Sequence, residues 1–392
     1  MNLLIACVDS LRLDHVGRTG RRVHAPRFDA VTSDFGFCGT CFSVSSATRP
    51  VHTTLFTGLY PCEHGVVGQR TLGTRVGAPH LFDLFAARGY RVGGFSEASQ
   101  VFHGLPFAPS VLQLPAEPPD GLQVLDGWLR QASGAATFLF VHYWGAHTPY
   151  GARDGLAGGE TARLLAAGDL ARVQQRYARA VEAVLETRLA PLLERVDPRR
   201  WAVFVLSDHG QSWTPWEPYH GQTLRNSVLR VPLYYHVPAS GNPPLAGPLV
   251  SLVDLFPTWT ALFALPPVPA GLGRPTWAAE RPPCYLAEID PVPPVGRQPE
   301  SLPLVGPPRG GRQWAVFDAE RKLTWYLDQD YGRLEHTLTE EPVEEPETVA
   351  RYRQARADLL RLSAYPPEPP PAAAVADARA LEERLRALGY LD

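Results

Sequence analysis

Lysine is almost missing: among 37 basic side chains in this 392-residue chain, Lys322 is the single lysine. An Arg- and Pro-rich, Lys-poor composition is what coding bias in a GC-rich genome produces, so by itself it carries no functional message. It does limit the chemistry, because a cation at a catalytic site must then come from Arg, His or a metal. Cysteine is scarce as well. Five residues, at positions 7, 38, 41, 62 and 284, are too few and odd in number for a disulfide scaffold. Cys38 and Cys41 have CxxC spacing but no second pair follows, which argues against a zinc ribbon. No apolar run approaches the roughly 20 residues of a membrane helix. The opening Met1-Asn2-Leu3-Leu4-Ile5-Ala6-Cys7-Val8-Asp9 lacks the basic start and small-residue cleavage site of a signal peptide. Net charge is only -3, which removes the electrostatic case for nucleic acid or an anionic membrane. The expectation is a cytoplasmic protein that acts on a small molecule, with neither nucleic acid nor membrane as partner.

What is present is enough apolar sequence for a large core, 45% of residues against 20% charged. Three runs read as buried parallel strands, continuously apolar and β-rich: 3–8, 137–143 and 201–206. Helical spacing fills much of the interval between the last two, notably 161–195. This alternation predicts an α/β fold with a mainly parallel central sheet and helices on both faces. From about residue 266 the texture changes to Pro and Gly clusters. Strands are expected again over 313–326, then a charged helix around 344–362, a Pro-rich connector and a last amphipathic helix over 377–388, stopped by Gly389. Residues 1–300 read as a catalytic domain and 301–392 as a smaller C-terminal α+β subdomain.

In a parallel sheet, ligands bind beyond the carboxyl ends of the strands. Asp9 follows the first apolar run, His142 and His147 lie at and beyond the end of the second, and Asp208-His209-Gly210 follows the third. Carboxylates and imidazoles from three strands at one edge suit a divalent cation such as Zn²⁺ or Mn²⁺. The segment Thr48-Arg49-Pro50-Val51-His52-Thr53-Thr54-Leu55-Phe56-Thr57-Gly58 has Pro for a first helical turn and Gly for a stop. Thr48 then stands at a helix N-terminus, where free N–H groups favour an oxyanion. A hydroxyl there, touching a metal, can attack phosphorus or sulfur; an ordinary N-cap threonine is the plain alternative.

These segments, in this order, resemble the alkaline phosphatase/sulfatase superfamily. So do Asp9-Ser10-Leu11-Arg12-Leu13-Asp14-His15, Thr57-Gly58-Leu59-Tyr60-Pro61, His147-Thr148-Pro149-Tyr150, and His220-Gly221 ahead of Arg230-Val231-Pro232-Leu233. The resemblance implies that Asp9, Asp208, His209 and Thr48 ligate one divalent metal, Zn or Mn favoured and Ca or Mg next. It implies Thr48 as nucleophile and His147 and His220 as groups that hold the substrate's oxyanion or protonate the leaving group. His52 and Arg49 are expected to bind substrate; His52 falls where sulfatases carry arginine. Thr48 occupies the place of the Cys or Ser that becomes formylglycine, and its methyl blocks that aldehyde, so no formylglycine is expected. Ser10 replaces the second acid of an Asp-Asp pair, and Gly145 stands where relatives with Asp-x-His-x-Pro have the acid. Both departures favour one metal, with a second, on His147 and His220, left open.

His142 reads as packed or supporting, and His64 as a brace behind the nucleophile helix. The aromatics of 211–219 suggest a pocket wall for a ring-bearing substrate. The expected function is metal-dependent hydrolysis of a small phosphate or phosphonate ester through a covalent Thr48 intermediate. The alternatives are a formylglycine-independent sulfate ester hydrolase or transferase, and a sulfatase-like binding protein without catalysis.

Overall fold

The three apolar runs become neighbours at the centre of the larger of two sheets in this computed structural model. The structure describes residues 1–365 and 383, apart from 21–22, 72, 75–76, 152–158, 214–216, 218, 239–241, 244, 246, 270 and 292–310. In chain order the larger sheet comprises β1 (Asn2–Val8), β2 (Gly36–Phe42), β3 (Arg91–Ser96), β4 (Leu112–Gln113), β5 (Thr137–Tyr143), β6 (Trp201–Leu206), β7 (Arg230–His236) and β8 (Val250–Ser251). Their spatial order is β4-β3-β5-β1-β6-β7-β2-β8. Pairing is parallel from β4 through β6 and antiparallel only where β7 meets β6 and β2. The mainly parallel sheet expected from the sequence is therefore the fold.

All seven residues of β1 and of β5 are buried. Leu3, Ile5 and Cys7 face one side with Phe138 and Phe140, under the helices Thr48–Thr57 and Leu255–Leu262. Leu4, Ala6 and Val8 face the other with Leu139 and Val141, under the helix Leu170–Val184. Two covered faces favour apolar residues at nearly every position, with Asn2, Thr137 and His142 the polar exceptions, which is why these strands read as apolar runs. The helical stretch expected over 161–195 is divided into Glu160–Ala166, Leu170–Val184, a π-helical turn Leu185–Leu189 and Ala190–Leu193. Gly168, at φ 71°, supplies the first break.

The second sheet is antiparallel, in the order β12-β11-β10-β9. It takes β9 (Tyr285–Ile289), β10 (Gln313–Phe317), β11 (Arg321–Tyr326) and β12 (Tyr331–His336). β9 precedes the boundary expected near residue 300 and pairs along its length with β10. The helix Pro346–Leu362 covers this sheet, with Arg353 over the Trp325 ring and Arg356 over Trp314. The final helix expected over 377–388 lies outside the described residues, Glu383 excepted. Among the described residues no helix is long and apolar enough to cross a membrane.

Candidate active site

Strand register brings the site together. β1 pairs Val8 with Tyr143 and Cys7 with Leu206, so β1, β5 and β6 end level. The residues that follow, Asp9 and Asp208-His209, emerge at one edge, and all three are fully buried. One ligand atom from each lies within 4.8 Å of the others, close enough to share a cation. The helix Thr48–Thr57 starts beside them and ends at Gly58, which turns left-handed at φ 72° and donates its N–H to the Thr54 carbonyl at 2.8 Å. Its first residue presents Thr48 Oγ at 3.2 Å from Asp9 Oδ2 and 3.3 Å from His209 Nε2.

Proton placement shows what these atoms can accept. His209 Nδ1 donates to the Gly210 carbonyl at 2.9 Å, which leaves the lone pair on Nε2. That nitrogen lies 3.4 Å from Asp208 Oδ2, a buried oxygen without a hydrogen-bond partner among the described residues. A lone pair whose neighbour is the Thr48 hydroxyl and a bare carboxylate oxygen, held together in the core, form a cradle that could hold a cation, since an unmatched buried acceptor costs about 1–3 kcal/mol. The donors fit a divalent ion: two carboxylates, one imidazole and one hydroxyl. Burial raises the Asp208 carboxyl, and the Asp9 charge raises it further, to about 6 against the pull of His209 and His142. Burial acts on Asp9 too, but the His142 hydrogen bond and the surrounding imidazoles outweigh it and hold Asp9 well below the usual carboxylate range.

Ser10, in place of a second acid, is bonded to both carboxylates. Its hydroxyl donates to Asp9 Oδ1 at 2.7 Å and its N–H to Asp208 Oδ1 at 3.2 Å, from a strained φ of 59°. Serine here orients both carboxylates. Gly145 has no room for an acid: a Cβ would lie 2.6 Å from Val184 Cγ2 and 2.9 Å from Arg188 Nη1. The Arg188 guanidinium is held there by both oxygens of Glu97 at 2.7 Å. Glu97 also accepts the Trp144 N–H.

His147 and His220 stand next to the cradle. Their ring centroids lie 4.9 Å apart, and the His220 ring is 4.4 Å from His209. His147 donates from Nδ1 to the Thr148 carbonyl at 2.7 Å and stacks on Trp144 at 3.7 Å. His220 Nδ1 meets Gln211 Oε1 at 3.0 Å. Burial depresses both imidazoles, His147 to about 4, and neighbouring His209 lowers His220 further. His52 is fully buried, packed on Phe102 and His142, and donates from Nδ1 to the Thr48 carbonyl at 2.9 Å. Burial lowers it to about 3.

Arg49 is a correction. Its guanidinium is spent on the backbone carbonyls of Thr71, Val101 and His103, so it ties three loop positions together instead of offering a fork to substrate. His64 Nε2 meets Thr54 Oγ at 3.1 Å, behind the helix. His142 reaches Asp9 through Nε2 at 3.2 Å and Ser96 through Nδ1 at 2.8 Å. Of the expected aromatic wall, Trp213 packs inward on Tyr177 and its indole N–H donates to Tyr150. Residues 214–216 and 218 of that wall lie outside the described residues. Sequence reasoning missed Glu97 and Gln211. Glu97 follows β3 as Asp9 follows β1, but Gly93 and Gly94 inside that strand hide the apolar run that marks the others.

No curated protein matches the sequence significantly. Among solved structures, the phosphonate monoester hydrolase of Agrobacterium radiobacter superposes with a TM-score of 0.62 at 15% identity, covering 92% of this chain and 94% of that one. The phosphonate monoester hydrolase from Silicibacter pomeroyi gives 0.63 at 17%, with coverage of 92% and 94%. A putative sulfatase from Bacteroides thetaiotaomicron gives 0.66 at 15%, covering 93% of both chains. At such identities the likeness establishes the fold. Residues 1–265, which include the cradle, Thr48, His147 and His220, match the family model described as Sulfatase, and the chain belongs to that family of hydrolases.

Proposed function

We propose that this protein hydrolyses a small phosphate or phosphonate ester with the help of one divalent cation, by way of a covalent intermediate on Thr48. The observation that carries the reading is the Thr48 hydroxyl at a helix N-terminus, held between Asp9 Oδ2 and His209 Nε2 beside the Asp208 oxygen that has no hydrogen-bond partner among the described residues. Asp9, Asp208, His209 and Thr48 would hold the cation. When bound, it supplies positive charge that acidifies the hydroxyl and offsets charge on the transferring group. Thr48 Oγ then gives its proton to solvent and attacks phosphorus in line, and the ester oxygen departs and takes up a proton from solvent. Neutral His220, anchored through Nδ1 to Gln211, is suited to take a proton from the water that hydrolyses the phospho-threonine. It is less suited to the acid role that the resemblance implies, because burial holds the ring neutral.

A sulfate ester substrate is the second reading, favoured by the family description itself. Formylglycine hydrate releases sulfate by breaking a bond at its own carbon, and unmodified threonine has no such exit. The deciding experiment incubates metal-loaded protein with a phosphonate monoester, a phosphodiester, a phosphomonoester and a sulfate ester. Multiple turnover of a phosphoryl ester, with a transient adduct on the Thr48 peptide by mass spectrometry, is expected. Sustained turnover of the sulfate ester alone would replace this reading with the second. No turnover of any ester, with metal bound, would favour a binding protein.

A further inference from the structure

One buried cluster takes no part in that reaction. The parallel register of β1 and β5 sets Cys7 beside His142, so both side chains leave the sheet on the face covered by the helix Thr48–Thr57. From that helix comes His52, with its ring centroid 4.9 Å from that of His142. One ligand atom from each of Cys7, His52 and His142 lies within 4.8 Å of the other two, and all three residues are fully buried. The His52 Nδ1 proton goes to the Thr48 carbonyl. The nitrogen left to act as an acceptor, Nε2, is buried with no hydrogen-bond partner among the described residues. Packing alone gives no reason to bury a bare imidazole lone pair beside a thiol.

We propose that Cys7, His52 and His142 form a second metal site, behind Asp9 and distinct from the Asp9–Asp208–His209 cradle, that takes a zinc ion. A thiolate with two imidazoles selects Zn²⁺ over the harder Mn²⁺, Ca²⁺ or Mg²⁺, which the oxygen-rich cradle accepts. On binding, the Cys7 S–H proton leaves to solvent as the Sγ–Zn bond forms, and His52 gives its Nε2 lone pair without any change of protonation. His142 coordinates through Nε2 as the Nδ1–H tautomer, with Ser96 Oγ accepting that proton at 2.8 Å, and the ion takes over the Nε2 contact with Asp9.

The experiment reads metal, not ester turnover, so its failure and that of the proposed hydrolysis are separate results. Chelator-treated protein is saturated with Zn²⁺ or Mn²⁺, freed of excess, and its metal content measured per chain. About two zinc ions but only about one manganese ion are expected. Cobalt-loaded wild type should show a thiolate-to-cobalt charge-transfer band, which Cys7→Ser should abolish while lowering zinc to about one ion. The wild-type cobalt spectrum stands even if the variant does not fold. A single zinc ion, a cobalt spectrum without the thiolate band, or two zinc ions retained by Cys7→Ser would each overturn the proposal; the last would move the second ion to His147 and His220.

Discussion

Thr48 has three candidate duties: helix start, metal ligand and nucleophile. Thr48→Ala separates them, because alanine still starts a helix and three stronger ligands remain in Asp9, Asp208 and His209. If Thr48 is the nucleophile, kcat should fall by about 10³ or more, with cation affinity nearly unchanged, and Thr48→Ser should restore most of the rate. Steady-state kinetics beside a metal titration checks this, and an alanine variant that keeps its turnover would move the attack to water. Asp208 gives a second prediction. Its carboxyl is pushed up to about 6, so protons compete with the cation below that value. Affinity should fall about tenfold per pH unit on the acid side and level off above it. For the metal-free fold the sign is opposite. A raised carboxyl stabilises below its ordinary value near 4, and that contribution is lost as pH rises through about 6. Calorimetric titration of Mn²⁺ from about pH 5 to about pH 8 tests it; a flat profile would mean that Asp208 is not a ligand.

At the scale of elements, legibility followed burial. β1, β5 and β6 could be read because both faces are covered and every residue but Asn2, Thr137 and His142 is apolar or aromatic. β2 and β3 could not, since glycines break the pattern, and at Gly36, Gly93 and Gly94 a side chain would strike a neighbour. At Gly93 a Cβ would lie 2.4 Å from the Trp128 ring, and at Gly36 2.3 Å from Tyr235. Such packing is fixed by partners more than 30 residues away and leaves no local trace. The cradle was legible because Asp9, Asp208 and His209 each directly follow a readable strand. Glu97, Gln211 and Arg188 act through contacts that only the folded sheet creates. The helix Thr48–Thr57 was marked by its own punctuation, and its stop is the more exacting end. Gly58 combines φ 72° with a Cβ direction only 2.5 Å from Phe256 Cδ1. Gly58→Ala should therefore cost about 2–4 kcal/mol, summing backbone strain and overpacking. A denaturant midpoint measures the loss; a change under about 0.5 kcal/mol would show that the helix end relaxes freely.

The whole molecule joins its two sheets through the loop that carries His220. Gln313 of β10 donates to the Gln222 carbonyl at 2.7 Å, two residues beyond that histidine. Lys322 of β11, the chain's single lysine, is fully buried and bonds the Leu224 carbonyl at 3.3 Å, Asn226 Oδ1 at 2.9 Å and Glu340 Oε1 at 2.5 Å. The inference from lysine scarcity holds in an unexpected way. Lys322 exists, but it spends its charge holding the smaller sheet to the larger, and the described site is left to histidine and whatever cation it binds. Glu217 closes the other side of the same loop, accepting the Gln222 and Thr223 N–H groups at 3.2 and 2.8 Å. Removing only the ammonium would free the Leu224 carbonyl and take the closest cation from the mostly buried Glu340, which keeps Arg225 at 3.4 Å and the Asn226 N–H at 2.9 Å. Lys322→Met is thus expected to destabilise by about 3 kcal/mol, the scale of a broken buried ion pair. Lys322→Met with Glu340→Leu should recover most of that loss, because the buried carboxylate goes with its ammonium and the partly exposed Arg225 can turn to water. The two variants also separate stability from positioning. If the lysine holds the His220 loop, the double variant should regain its melting temperature but keep a reduced kcat. Full recovery of both would assign Lys322 to stability alone and leave Gln211 and Glu217 as the groups that set His220.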